Sequence, residues 1–413
     1  MAPETILTFI LIILAFDYAL DQLLDYLNLK HLKPKLPEQL STIYDADRYS
    51  QSIRYIRYNT RFSFLSTTFS FLLSFIVIYT GFLGTINEWL GQYFTSQTYL
   101  SLAFFGLIFI ASDIIKIPFQ LYDTFVIEEK FGFNKTTLRT FFTDKFKGYL
   151  LTIIIGGGIL YLLVTLILEI GQNFWIYFWI AITLFTLLIN IFYTSLILPL
   201  FNKLKPLEDG ELKNEIEAYC KSVDFPLTNV YEIDGSKRST KANAFFSGLG
   251  KRKKVVLYDT LIQNHTTEEL VAVIAHEVGH YKKKHIVTGF GVSALQTGII
   301  LFILSRFIFS PELSIALGAD KWAIHLNLIA FAILFTPISH ITGILGNLLS
   351  RKNEYEADAF ASKTYKGEPL KEALKKLSVK NLSNLTPHPA YVFFHYSHPK
   401  LLDRLKAIDN YTE

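Results

Sequence analysis

Two histidines four residues apart, with a glutamate directly after the first, stand in 271-VAVIAHEVGHYKKKH-285. On a helix, positions i and i+4 share a face, so His276 and His280 can present two imidazoles to one metal ion. Glu277 lies beside them, within reach of a water on that metal. These donors suit zinc, which is catalytic when three protein ligands leave one position open. A zinc held this way lowers the pKa of its water to roughly 7 and polarises a carbonyl. The chemistry is attack of an activated water on a carbonyl.

The third ligand must come from further along. The stretch 350-SRKNEYEADAFA-361 offers Glu354, and Asp358 follows four positions on, on the same helical face. That spacing suits a zinc carboxylate backed by an acid that orients a ligand histidine. Glu356 lies about 160° around the helix from Asp358 and is the weaker ligand candidate. Alone, Glu354 and Asp358 would pass for a solvated acidic stripe, and the histidine pair for an incidental one. The two motifs together argue against both.

The elements that position these residues are mostly membrane helices. Of 413 residues, 51% are hydrophobic and 18% charged, against about 25% charge in an average soluble chain. This excludes a disordered chain, a coiled coil and a collagen-like fibre. The single cysteine, Cys220, excludes an internal disulfide framework and a Cys-rich zinc module. It sits on an apolar stripe with Leu212, Ile216 and Tyr219 and reads as a core residue, not a nucleophile. A net charge of +4 gives no reason to expect a nucleic-acid partner.

Crossing a bilayer takes roughly 20 apolar residues. Stretches of that kind lie at 5–28, 62–87, 98–122, 148–170, 174–202, 286–309 and 322–349. The first carries Asp17 and Asp21 and no cleavage site, so it reads as a retained helix, not a signal peptide. Lys and Arg gather in alternate connections, as an odd number of spans requires. The N-terminus is then expected outside or lumenal and the C-terminus in the cytoplasm. Within the spans, Asp113 and Lys116 have the i, i+3 spacing of a pair, and His340 could line a polar interior. His31, His265, His285, His325 and His388 read as surface or interfacial, and His395 as a spacer.

The polar remainder carries strand-like runs at 229–234, 243–249 and 254–262. The last two read as a hairpin turning through Gly248, Gly250 and the basic run 251-KRKK-254, a solvated turn or a contact for lipid headgroups. Thr266 or Thr267 followed by Glu268 and Glu269 marks a helix start. The expected fold is an α-helical integral membrane protein. It has about seven transmembrane helices and a small α+β zinc-protease domain formed by a cytoplasmic loop and the C-terminal tail. The expected division is 1–203 with about five spans, 204–285 with the HEVGH helix, 286–349 with two further spans, and 350–413 completing the site.

HEVGH with SRxxExxAD, on a seven-span chain of this size, resembles the type I CAAX prenyl proteases, integral-membrane zinc metalloproteases of the gluzincin class. The resemblance covers essentially the whole chain. It implies one zinc ion per chain on His276, His280 and Glu354, with Glu277 as general base and Asp358 behind the ligands. It implies that Asn243, Ala244, Phe245 and Phe246 form an edge strand pairing with the substrate backbone. The run 398-HPKLLDR-404 matches the family's HPxLxxR, making His398 a candidate oxyanion stabiliser. Arg404 becomes a partner of an acidic ligand or of the substrate carboxylate. The implied substrate is a lipidated protein or peptide ending in C-a-a-X, cut after its prenylated cysteine. Membrane lipids are further partners. A bacterial inner membrane and the endoplasmic reticulum would both accommodate such a chain. Two alternatives stand beside this reading: a quality-control metalloprotease acting on unlipidated membrane proteins, and a zinc-containing transporter or receptor.

Overall fold

The computed structural model describes residues 1–36, 38, 41, 44–247 and 253–412. Gly248, Gly250, Lys251 and Arg252 of the expected turn lie outside the described residues.

The N-terminal half is helical. It runs through α1 (Pro3–His31), α2 (Ala46–Tyr79), α3 (Phe82–Gly91), α4 (Gln97–Tyr122), α5 (Leu138–Leu151), α6 (Gly157–Ile170), α7 (Phe174–Leu196) and the short α8 (Leu198–Phe201). A mixed segment follows: β1 (Leu204–Pro206), α9 (Glu211–Ser222), β2 (Leu227–Ile233), β3 (Ala244–Ser247), β4 (Lys253–Tyr258), α10 (Asp259–Ile262) and α11 (Thr267–Lys282). The chain then returns to apolar helices α12 (His285–Phe307), α13 (Pro311–Ala316) and α14 (Ile324–Leu334). It ends in α15 (Thr336–Thr364), α16 (Gly367–Lys380), α17 (Pro389–His395) and α18 (Leu401–Thr412).

Five helical stretches are long and apolar enough to cross a bilayer: Pro3–His31, Ala46–Tyr79, Gln97–Glu128, Leu138–Phe201 and His285–Phe307. The pair α14 and α15, bent by 54°, makes a sixth if taken as one span. The expected count was seven. The difference has two sources. Leu138–Phe201 runs for 64 residues as one stretch, yet it is interrupted at Gly171, whose φ of +69° turns the chain so that α7 packs back on α6. The expected straight span 322–349 is instead broken at the join of α14 and α15.

The sheet has the order β1-β2-β4-β3. β2 and β4 are parallel, and β1 and β3 flank them antiparallel. β3 and β4 form the expected hairpin pairing, with Ala244 opposite Leu257 and Phe245 opposite Val256. β3 is therefore an edge strand, and its outer side has no strand partner among the described residues. One core joins the two polar segments: Ile216, Cys220, Leu257, Leu270 and Ile274 pack with Ala361, Leu370 and Ile408. Neither segment could bury those residues by itself.

Several polar residues have surroundings other than their spacing suggests. Asp113 pairs not with Lys116 but with Lys145 at 2.8 Å, because α5 also brings Tyr149 against it. Lys116 instead lines a cavity of about 690 Å³ between α1, α2 and α4, together with Asp17, Asp21 and Ser70. His325 is not interfacial; it is fully buried, 3.1 Å from Ser101 Oγ and against the Phe104 ring. His265 is likewise buried, with Nδ1 on the Leu261 carbonyl. His340 does meet a partner across helices: its Nε2 lies 2.6 Å from Asp17 Oδ1.

Candidate active site

The site is built on α11. Its start is fixed by a capping box in which Thr266 Oγ1 accepts from the Glu269 backbone and Glu269 accepts from the Thr266 backbone. Beyond the cap the helix is almost wholly buried and packs along α15. The two backbones approach closely at Gly279, where a Cβ would lie 3.0 Å from Ala357 Cα and 3.1 Å from Phe360 Cβ. Gly279→Ala should therefore force α11 and α15 apart. The expected cost is about 1–3 kcal/mol, the range for overpacking a tight core, read as a lowered unfolding temperature. An unchanged melt would show that the helices have slack.

This close approach brings residues far apart in sequence to one point. His276 Nε2 lies 3.1 Å from His280 Nε2 and 3.5 Å from Glu354 Oε2. His280 Nε2 lies 3.3 Å from Glu354 Oε1. One ligand atom from each of the three residues falls within 4.8 Å of the others. On its far side, His276 donates through Nδ1 to Asp358 Oδ1 at 2.8 Å. Arg404 grips the same carboxylate with two bonds, Nε to Oδ2 at 2.8 Å and Nη2 to Oδ1 at 2.7 Å. Its Nη1 lies 3.4 Å from Glu354 Oε2. His398 reaches in from the segment before α18, with Nε2 3.4 Å from Glu354 Oε1, and its side chain is 64% exposed.

These donors fit a metal ion. Glu354 Oε2 is a buried carboxylate oxygen that makes no hydrogen bond, although Arg404 Nη1 stands 3.4 Å away, so a buried acceptor is left open to a metal ion. Burial alone would lower the His276 pKa, but Asp358 and Glu354 outweigh it and raise it to about 9. The same negative field favours a dication. Two imidazoles and one carboxylate are a common zinc set. Burial pushes the Glu277 carboxyl upward, against the pull of His276 and His280.

The structure brings the expected site residues into one neighbourhood. Phe245, Phe246, Glu277, His280, Glu354 and His398 line a cavity of about 400 Å³. Asn243 and Ala244 line a smaller one, about 130 Å³, with His276 and Arg404. One neighbour was missed. His285, expected at the surface, is buried, with Nδ1 3.1 Å from His280 Nδ1 and Nε2 3.2 Å from Glu356 Oε2. On one continuous helix, five residues of separation would turn it roughly 140° away from His280. α11 instead ends at Lys282, Lys284 takes a left-handed φ of +59°, and α12 starts at His285.

Known proteins place this architecture. Residues 25–203 match the family described as CAAX prenyl protease N-terminal, five membrane helices. Residues 206–412 match peptidase family M48. A CAAX prenyl protease 1 homolog of Arabidopsis thaliana is 36% identical, over 98% of this chain and 97% of that one. CAAX prenyl protease 1 of Saccharomyces cerevisiae is 35% identical, over 96% and 94%. The crystal structure of S. mikatae Ste24p superposes with a TM-score of 0.93 at 34% identity, covering 98% of this chain and 99% of that one. The chain thus belongs to the CAAX prenyl protease type of peptidase family M48, as an integral-membrane metalloprotease.

Proposed function

We propose that this metalloprotease holds one zinc ion on His276, His280 and Glu354 and removes the C-terminal residues of prenylated CAAX proteins or peptides. The observation that carries the proposal is the convergence of those three side chains with Glu277 and the edge strand β3 inside a membrane-embedded body. A zinc ion bound there supplies Lewis acidity and a water acidified toward neutrality. The chain's own residues do the rest. The substrate backbone adds to the outer edge of β3, which holds the scissile bond beside Glu277. Glu277 takes a proton from the attacking water and returns it to the leaving amine; its raised pKa suits a group that must give the proton back. His398 donates to the oxyanion that develops on the substrate carbonyl. Asp358 and Arg404 hold His276 in one orientation.

The lipid preference draws support from the apolar side of the larger cavity, where Phe225, Phe245, Phe246 and Ile286 face the site. Cleavage of farnesylated and unlipidated CAAX peptides by the purified chain tests it. A lipid seated against such a surface should raise kcat/KM at least about tenfold, a fraction of the roughly 0.8 kcal/mol per buried CH2 available. Equal cutting of both peptides would instead favour the quality-control role.

The proposal extends to topology and domains. Seven spans follow if the break at Gly171 separates two of them and α14 with α15 makes another. The alternation of Lys and Arg along the chain supports an outside or lumenal N-terminus and a cytoplasmic C-terminus. Segments 204–285 and 350–413 then form one cytoplasmic α+β catalytic unit, separated in sequence by the two spans within 286–349, after the five-span region 1–203.

A further inference from the structure

Two ligand histidines need two supports. A metal-bound imidazole that ligates through Nε2 carries its proton on Nδ1, and that proton must be accepted by something that also fixes the ring. For His276 the acceptor is Asp358. For His280 no carboxylate or carbonyl stands at Nδ1 among the described residues; the atom 3.1 Å away is His285 Nδ1.

Donor and acceptor counting then sets every tautomer. If His280 Nδ1 donates, His285 Nδ1 must carry a lone pair, so the His285 proton sits on Nε2. That nitrogen lies 3.2 Å from Glu356 Oε2, which can accept it. The chain His280 to His285 to Glu356 is satisfied in one direction, with each proton between a donor and an acceptor. His285 is buried, whereas Glu356 is 38% exposed on its side chain and has Lys352 Nζ 3.8 Å away.

We infer that His285 and Glu356 are positioning residues for the metal site, holding the His280 ring through a histidine–carboxylate relay that parallels the Asp358 contact to His276. The inference rests on the proposed ligand set. His285 acts on His280 alone, and Glu356 acts through His285.

The test is zinc affinity of the full-length chain in detergent, measured by competition with a chromogenic chelator. His285→Ala and Glu356→Ala should each weaken zinc binding by about 10–100-fold, the usual effect of removing a ligand's supporting partner. Glu356→Gln should hold near wild type, since its amide oxygen still accepts from His285 Nε2. The double variant His285→Ala with Glu356→Ala should be no weaker than His285→Ala alone, because the two residues act in series. Lys352→Ala should leave affinity unchanged, which separates the relay from the surface ion pair. The melting temperature of each metal-stripped variant is measured alongside, and Glu356→Ala, at a part-exposed site, should not lower it. A Glu356→Ala affinity within twofold of wild type would overturn the inference. So would losses that add in the double variant, or a Glu356→Gln loss as deep as that of Glu356→Ala. His280→Ala separates the two levels of argument. If it retains wild-type affinity, the ligand set itself is wrong; if it loses zinc while His285→Ala does not, only the relay fails.

Discussion

Glu277→Ala should keep its metal and lose about 10²–10⁴-fold in kcat, the range that a positioned general base contributes. The expectation follows from where Glu277 stands. It is not among the three residues whose ligand atoms converge, so its removal leaves His276, His280 and Glu354 in place. It lines both cavities at that cluster, the larger with Phe245 and His398 and the smaller with Asn243 and Ala244. Glu354 lines both as well but belongs to the ligand cluster, which leaves Glu277 as the carboxylate free to act beside the strand expected to hold the substrate. Metal content by atomic absorption, with peptide cleavage on the same sample, checks both halves. Full activity in Glu277→Ala would sink the protease mechanism and favour a zinc-containing transporter or receptor. Loss of metal together with activity would show that Glu277 supports the site and does not serve it as a base.

Arg404→Ala should be the most destabilising single change at the site, at about 3–5 kcal/mol, the cost of stripping one partner from a buried ion pair. Asp358 is fully buried and is held by Arg404 through two hydrogen bonds. Truncation leaves that carboxylate with His276, at 2.8 Å, as its remaining partner among the described residues, and also removes the cation 3.4 Å from Glu354. Arg404→Lys should recover little, since an ammonium cannot reproduce the planar two-bond grip. Thermal unfolding in detergent, with and without added zinc, reads the effect. A melting curve within experimental error of wild type would mean that Asp358 is not held in the way its contacts indicate.

Much of this site was legible in the sequence, because its key spacings are local. The period of the α-helix puts His276 with His280, and Glu354 with Asp358, on single faces whatever surrounds them. Thr266 and Glu269 mark the start of α11 by satisfying its free backbone donors. The roles of His398 and Arg404 came from family resemblance and not from spacing, since nothing local ties either residue to a histidine more than a hundred positions earlier. His285 escaped because its direction depends on one left-handed residue, Lys284, which helical periodicity does not anticipate. Asp113 meets a different lysine for a related reason: i, i+3 spacing permits a pair with Lys116, but docking of α5 offers Lys145 and Tyr149 instead.

That the chain enters a membrane, that Cys220 belongs to a core, and that two short motifs carry the donors of a metal site can all be read from the order of amino acids. Composition and periodicity are enough for these, because each depends on residues close together in the chain. The meeting of the two motifs is a matter of long-range packing. α11 and α15 are separated in sequence by α12, α13 and α14, and they touch because Gly279 leaves room for Ala357 and Phe360. The same packing sets where β3 ends up and what stands behind each imidazole: Asp358 and Arg404 for His276, His285 for His280. Periodicity says which side chains share a face; which faces dock is settled by long-range packing of surfaces that no local spacing encodes.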